Sequence, residues 1–226
     1  GAVTPLGHTV PETWEAARAG VCGIAPITLY DTTNQKVTLA AEVKNFDPTK
    51  VLDKKEARRM DRFTQFAMYA AAEAMEDSGL DLEKEDASRI GVSLSSGVGG
   101  METFQNSCEV GNARGFDKVS PFFIPMIIAN MAAGRVAIRY GLHGMCTCPV
   151  TACAGSSNAV GDAFHYIRDG YADAMVAGGA EATITSLAIG GFTSMGALTT
   201  ATDPNRASIP FDKERSGFVM GEGAAI

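Results

Sequence analysis

This sequence lacks an excess of positive charge, a long uninterrupted apolar run and an even set of cysteines, and each absence removes a class of function. Asp and Glu number 26 against 19 Lys and Arg, a net charge of −7. No basic field for a polyanion is therefore present, and nucleic acid is not an expected partner. The most apolar stretch, residues 124–138, is interrupted by Asn130 and Arg135 and falls short of the roughly 20 residues that span a bilayer. No membrane partner is expected. The five cysteines (Cys22, Cys108, Cys146, Cys148 and Cys153) are an odd number. With no secretory signal in view they are expected to stay reduced, in the cytoplasm. Short-period repeats, low-complexity tracts and linkers are also missing. What remains is 226 residues, 46% of them hydrophobic and 25 of them glycine, enough for one large α/β domain. That domain is read as residues 1–226. The opening at Gly1 and the apolar close at residues 223–226 lead us to expect a chain cut at both ends.

Periodicity places the elements. Residues 11–19 read as a short helix with Pro11 in its first turn, and residues 36–43 alternate enough for a strand. Asp53 is expected to cap a long helix to Asp77, with Ala57, Met60, Phe63, Ala67, Ala70, Ala71 and Ala74 on one face and Ser78-Gly79 ending it. A buried strand over 89–95 turns at Gly97-Val98-Gly99-Gly100 into a helix over 101–110. A further helix is expected over 125–140, a strand over 145–152, and a helix to Arg168 that buries Ala159, Val160, Ala163, Phe164 and Ile167. A strand over 172–178, a helix over 182–192, a loop over 194–208 and the start of a last strand over 217–226 complete the reading. Strands alternating with helices imply a largely parallel sheet covered on both faces.

The segment Thr147-Cys148-Pro149-Val150-Thr151-Ala152-Cys153-Ala154-Gly155 carries the chemistry. A β-branched run climbs to Cys153, small residues follow at once, and a helical pattern begins. The thiol thus lies at a strand-to-helix turn, where backbone N–H groups and the helix dipole stabilise a thiolate and raise the fraction of active nucleophile. The competing assignment is a buried core cysteine; the surrounding small residues, together with the family resemblance given below, argue against it. Cys146 and Cys148 form a Cys-x-Cys pair, but Cys153 is an odd number of strand steps away and no fourth ligand is evident. Buried structural thiols are expected there, and no metal. Gly97-Val98-Gly99-Gly100 lacks the spacing of a nucleotide-phosphate loop, and no cofactor is expected.

Several motifs together resemble the β-ketoacyl-[acyl carrier protein] synthases, in particular the synthase II type of bacterial fatty-acid synthesis. They are Gly1-Ala2-Val3-Thr4-Pro5-Leu6-Gly7, Val119-Ser120-Pro121-Phe122-Phe123-Ile124-Pro125, Val150-Thr151-Ala152-Cys153-Ala154, Val176-Ala177-Gly178-Gly179-Ala180-Glu181 and residues 210–223. The resemblance spans the chain and covers the family's N-terminal half. It implies a thiolase-like fold, in which two similar α/β halves stack as α-β-α-β-α. It further implies that Cys153 takes an acyl group from acyl carrier protein as a thioester. The carbanion formed by decarboxylation of malonyl-carrier protein then attacks that thioester. Two histidines and a lysine of the family's second half assist that step. Val98 would line the acyl pocket, Phe192 would gate it, and Phe123 would reach the pocket of a homodimer partner. Lys55, Arg58 and Arg59, with Lys118 near a second patch, match positions that dock the acidic carrier. Gly196 stands where the family is often basic, and Met145 and Pro149 depart from its usual residues.

The histidines of this chain do not replace the missing ones. His165 lies twelve residues along a helix from Cys153, roughly 18 Å at 1.5 Å per residue. His143 lies about ten residues before it and, at about 3.3 Å per extended residue, belongs to the opposite end of the sheet. His8 sits in an N-terminal loop. A polyketide ketosynthase, and a non-catalytic half-length subunit needing a separate C-terminal half, are the alternative readings.

Overall fold

The computed structural model describes residues 1–226. Seven strands form: β1 (Ala2–Val3), β2 (Ala25–Pro26), β3 (Leu39–Ala40), β4 (Ile90–Ser95), β5 (Cys146–Thr147), β6 (Ala174–Glu181) and β7 (Gly223–Ala225). β2 and β3 pair as a separate antiparallel ribbon, and the other five make one sheet in the order β1-β7-β6-β4-β5. The helices are α1 (Val10–Arg18), α2 (Lys54–Ala57), α3 (Arg62–Ser78), α4 (Met101–Arg114), α5 (Phe123–Ile127), α6 (Met131–Tyr140), α7 (Gly155–Arg168), α8 (Ser186–Ser194) and α9 (Pro204–Ala207). None of them is long and apolar enough to cross a membrane.

β4 runs parallel to both β5 and β6, with Val92 opposite Cys146 on one side and Val176 on the other. β7 lies antiparallel to β6 and β1, so the sheet is mixed where a largely parallel one was expected. Parallel strands require crossover connections: α4, α5 and α6 lie between β4 and its neighbour β5, and α7 carries the chain from β5 past β4 to β6; β7 returns alongside β6 in the opposite sense and needs no such crossover.

The two faces of the sheet differ in side-chain size. Ile90, Val92 and Leu94 of β4 join Val176 and the buried residues Met68, Ala71, Ala133 and Val136 of α3 and α6 in one core cluster. The alternate residues Gly91, Ser93 and Ser95 belong to the opposite face, as the two-residue period of a strand dictates. There α7 packs close. A Cβ on Gly155 would collide with Ser95 Oγ, and one on Gly179 would collide with Ser156 Oγ. Small residues on both sides leave no room between the first turn of α7 and the sheet.

Several expected elements are shorter or divided. The helix expected over 53–77 breaks into α2 and α3 because Asp61 caps a new start. Its carboxylate accepts the Phe63 N–H at 3.2 Å and the Thr103 N–H at 2.9 Å, while Gln65 donates to the Ala57 and Met60 carbonyls. The helix expected over 125–140 divides into α5 and α6, with Ile128 extended between them. Of the strand expected over 36–43 only β3 forms. The strand expected over 145–152 keeps only Cys146 and Thr147 in the ladder. Beyond it Pro149 has no N–H to donate, and its carbonyl instead accepts the Ser95 hydroxyl at 2.6 Å. α7 buries Ala159 and Ala163 but leaves Val160, Phe164 and Ile167 exposed at 53%, 61% and 43%. The large side chains of this helix therefore point away from the sheet, contrary to expectation.

One largely buried ion pair crosses the fold. Arg62 at the start of α3 makes two bonds to Glu222, at 2.7 and 3.0 Å, and a third to the Val43 carbonyl. Glu222 also accepts the Val43 N–H at 2.8 Å, and the guanidinium lies 4.7 Å over the Phe66 ring and 5.9 Å from that of Phe46. Replacing Arg62 with Ala leaves the Glu222 carboxylate, with only 1% of its side chain exposed, without its counter-ion. We expect a loss of about 3 kcal/mol in urea denaturation. Gly155→Ala is expected to cost about 1–3 kcal/mol by the same measurement, because the added methyl meets Ser95 with no space to relax into.

Candidate active site

Cys153 lies in a single 3-10 turn, Ala152–Ala154, that leads directly into α7. Two hydroxyls of β4 guide the chain into this turn: Thr147 Oγ1 reaches Ser93 Oγ at 3.4 Å, and Ser95 Oγ donates to the Pro149 carbonyl at 2.6 Å. Ala152 then takes φ of +50°, a left-handed conformation that costs a non-glycine residue of order 1 kcal/mol. This reversal places the next residue, Cys153, at the mouth of α7. The helix has no side-chain cap at its N-terminus, so its first N–H groups are not taken up by a neighbouring hydroxyl or carboxylate. The thiol is exposed, and all five cysteines are free.

The thiol opens into a cavity of about 440 Å³. Val98 from the loop after β4 and Phe192 from α8 line it, as do Glu181, Phe218 and Met220. Phe192 and Phe218 meet edge to face at 5.7 Å. Phe123 does not line this cavity; it is half-buried, with its ring 6.4 Å from Phe104. No histidine lines the cavity either. His8 bonds to the Lys44 carbonyl. His143 is exposed beside the start of β4, its N–H on the Ala87 carbonyl, and His165 is exposed on α7 against Phe164. Nowhere do three His, Cys, Asp or Glu side chains converge to hold a metal ion.

Glu181 was not singled out from the sequence, although it ends the buried run Val176-Ala177-Gly178-Gly179-Ala180. A carboxylate closing such a strand is the signal that marked it. It accepts the Gly97 N–H at 2.6 Å and the Ser96 hydroxyl at 3.1 Å. Burial raises its pKa, and the bonds from Gly97, Ser96 and Val98 offset part of that rise. Cys148 is half-buried with its thiol pushed up by burial, and Cys146 likewise, with Cys148 adding to the effect. Cys146 is nevertheless an exposed residue and Cys148 only half-buried, not the buried thiols expected, because β5 is the edge strand of the sheet and has a neighbouring strand on one side alone.

The basic residues Lys55, Arg58, Arg59 and Lys118 are all exposed. Arg59 stacks 4.6 Å above the Phe122 ring, which draws the end of α2 toward the segment that follows Lys118. Lys118 itself pairs with Asp117 at 2.7 Å.

The structure thus brings together, on an α/β scaffold, an exposed thiol at a strained strand-to-helix turn and a cavity with apolar walls. The family model for the β-ketoacyl synthase N-terminal domain matches residues 1–226, and the chain belongs to that family. It is 51% identical over 226 residues to the 3-oxoacyl-[acyl-carrier-protein] synthase 2 of Staphylococcus aureus, covering 100% of this chain and 56% of that protein. The ishigamide ketosynthase/chain length factor structure superposes with a TM-score of 0.89 at 28% identity, over 99% of this chain and 55% of the other. A type II polyketide acyl-carrier protein in complex with its ketosynthase bound to the hexaketide gives 0.84 at 28% identity, over 99% and 54%. The fold is thus the thiolase-like one that the sequence motifs implied, and the chain spans about half the length of the curated relatives it matches.

The raised pKa of Glu181 has a thermodynamic consequence. The folded state holds this proton more tightly than the unfolded chain does. Its contribution is therefore fully present below the unfolded carboxyl's pKa and is lost as pH rises through the raised folded value. Urea midpoints measured across the mildly acidic range should fall more steeply with rising pH for the wild type than for Glu181→Gln.

Proposed function

We propose that Cys153 is the acyl-accepting nucleophile of a fatty-acid condensing enzyme of the synthase II type. The observation that carries this reading is the exposed thiol at the uncapped start of α7, opening into a cavity with apolar walls. The thiolate attacks the carbonyl of an acyl thioester on acyl carrier protein. The new C–S bond forms, the carrier's C–S bond breaks, and the carrier leaves as a thiolate that takes up the proton Cys153 released on ionising. The acyl tail then occupies the space between Val98 and Phe192, where each buried methylene contributes about 0.8 kcal/mol.

Condensation requires a second set of groups. Malonyl-carrier protein loses carbon dioxide, and the resulting carbanion attacks the Cys153 thioester to lengthen the chain by two carbons. By the family resemblance, two histidines and a lysine serve this step from the part of the relatives that this chain does not span. The cavity of this chain holds no histidine, which agrees with that division. Lys55, Arg58, Arg59 and Lys118 supply the positive field for the acidic carrier, an attraction that weakens as salt is raised. Phe123, absent from its own cavity, fits a residue that serves the pocket of a homodimer partner. The compartment we assign is the cytoplasm.

A polyketide ketosynthase is the second reading, supported by the solved structures that superpose here. The 51% identity to a fatty-acid synthase 2, against 28% to those structures, favours the fatty-acid branch. A non-catalytic subunit of the chain-length-factor kind is disfavoured by the presence of Cys153.

Incubation with acyl-carrier protein thioesters, followed by intact-mass spectrometry, tests the assignment. The 226-residue chain should gain one acyl group slowly, and Cys153→Ala should gain none while keeping its urea midpoint. Malonyl-dependent extension by this chain alone would contradict the division of groups described above. The exposed stripe of Val160, Phe164 and Ile167 should also drive self-association in analytical ultracentrifugation. Phe164→Glu is expected to shift the chain toward monomer.

A further inference from the structure

Val98 reaches the Cys153 cavity on a loop, Ser96 to Gly100, in which it is the only apolar side chain. Two sets of contacts hold this loop. On one side Gly99, with φ of +76°, and Gly100 press against the backbone of residues 126–129, and the Gly100 N–H bonds to the Ile127 carbonyl at 3.1 Å. On the other side stands Glu181, whose carboxylate takes the Gly97 N–H at 2.6 Å and the Ser96 hydroxyl at 3.1 Å. Ser96 Oγ in turn accepts the Gly99 N–H at 2.9 Å. The carboxylate and serine thus link β6 to both ends of the turn that carries Val98. Contact is so close that a Cβ on Gly97 would lie 2.8 Å from Glu181 Oε2.

We propose that Glu181 is a positioning residue for substrate length: it fixes the height of Val98 in the cavity and thereby sets how long an acyl tail can enter beside Cys153. This inference rests on the reading of the cavity as the acyl pocket. Such hydrogen bonds to a charged acceptor are individually strong, and a loop without them is free to let Val98 move aside. Glu181 touches neither the sulfur nor the tail in this role; it acts through the loop.

The test uses chloroacetamides bearing N-alkyl tails from ethyl to dodecyl, with alkylation of Cys153 followed by mass spectrometry. Each rate is divided by the rate of iodoacetamide on the same variant, so that a general change in thiol reactivity cancels. The wild type should discriminate against the longest tails, and Val98→Ala should relax that discrimination. Glu181→Gln, in which an amide replaces the all-acceptor carboxylate, should change the long-to-short ratio by about fivefold or more, in the same direction as Val98→Ala. Combining it with Val98→Ala should add little, because the loop then has no bulky side chain to position. Ser96→Ala is the second variant, removing the link between Glu181 and Gly99, and it decides the matter should Glu181→Gln fail to fold. A normalised profile unchanged in the folded Glu181 or Ser96 variant, while Val98→Ala alters it, overturns the role of Glu181 alone. A wild-type profile indifferent to tail length, and unaltered by Val98→Ala, overturns the acyl-pocket reading and this inference together.

Discussion

Gly155 and Gly179 let the first turn of α7 lie directly against β4 and β6, and the placement of Cys153 follows from that contact. With any larger residue at either position, the helix would stand off the sheet and its N-terminus would move away from the strand ends. Close approach also explains why β5 stops after two residues. The chain must leave the ladder, pass Pro149 and reverse at Ala152 within a few residues in order to enter a helix so near the sheet. Ser95 makes that departure possible, since its hydroxyl replaces a ladder bond at the Pro149 carbonyl. The strain at Ala152 is held in place by the packing on either side of it.

The same closeness governs the electrostatics of the site. A sheet face lined with Gly, Ala and Ser leaves small spaces in which a carboxylate can be enclosed, and Glu181 is enclosed in this way. Its bonds are made to backbone and hydroxyl donors of one loop, so burial raises its pKa without leaving it unsatisfied. Glu222 meets burial differently, with a guanidinium supplied by α3 and a backbone N–H from Val43. Glu42, also buried, takes the backbone N–H groups of Thr28 and Leu29 and the Thr28 hydroxyl. Glu181 and Glu222 join segments at least 84 positions apart, whereas Glu42 closes a local loop of 13 to 14 positions.

Residues 147–155 pointed to Cys153 without any structure, because a thiol between a β-branched run and a string of small residues stood among motifs that resemble one family. The alternation in β4 and the apolar face of α3 were equally plain. The break between α2 and α3 was not, since it depends on Asp61 reaching Thr103, some forty positions away and invisible to local periodicity. α7 shows the opposite failure. Its apolar residues extend over too wide an arc to tell which side meets the sheet, and the side that does is the one with alanines.

What the sequence determined by itself is the residue inventory: a thiol at a strand-to-helix turn, the absence of a histidine near it in the chain, the family and the basic residues. Those depend on residue identity and short spacing, which the chain states directly. Tertiary structure alone decided that Val98 and Phe192 share a cavity with Cys153 while Phe123 does not, that β7 runs against β6, and that Glu181 anchors the Val98 loop. Each of these is a contact between residues dozens of positions apart. It is settled by which side chains are small enough to let two elements meet and which buried polar groups must then find partners.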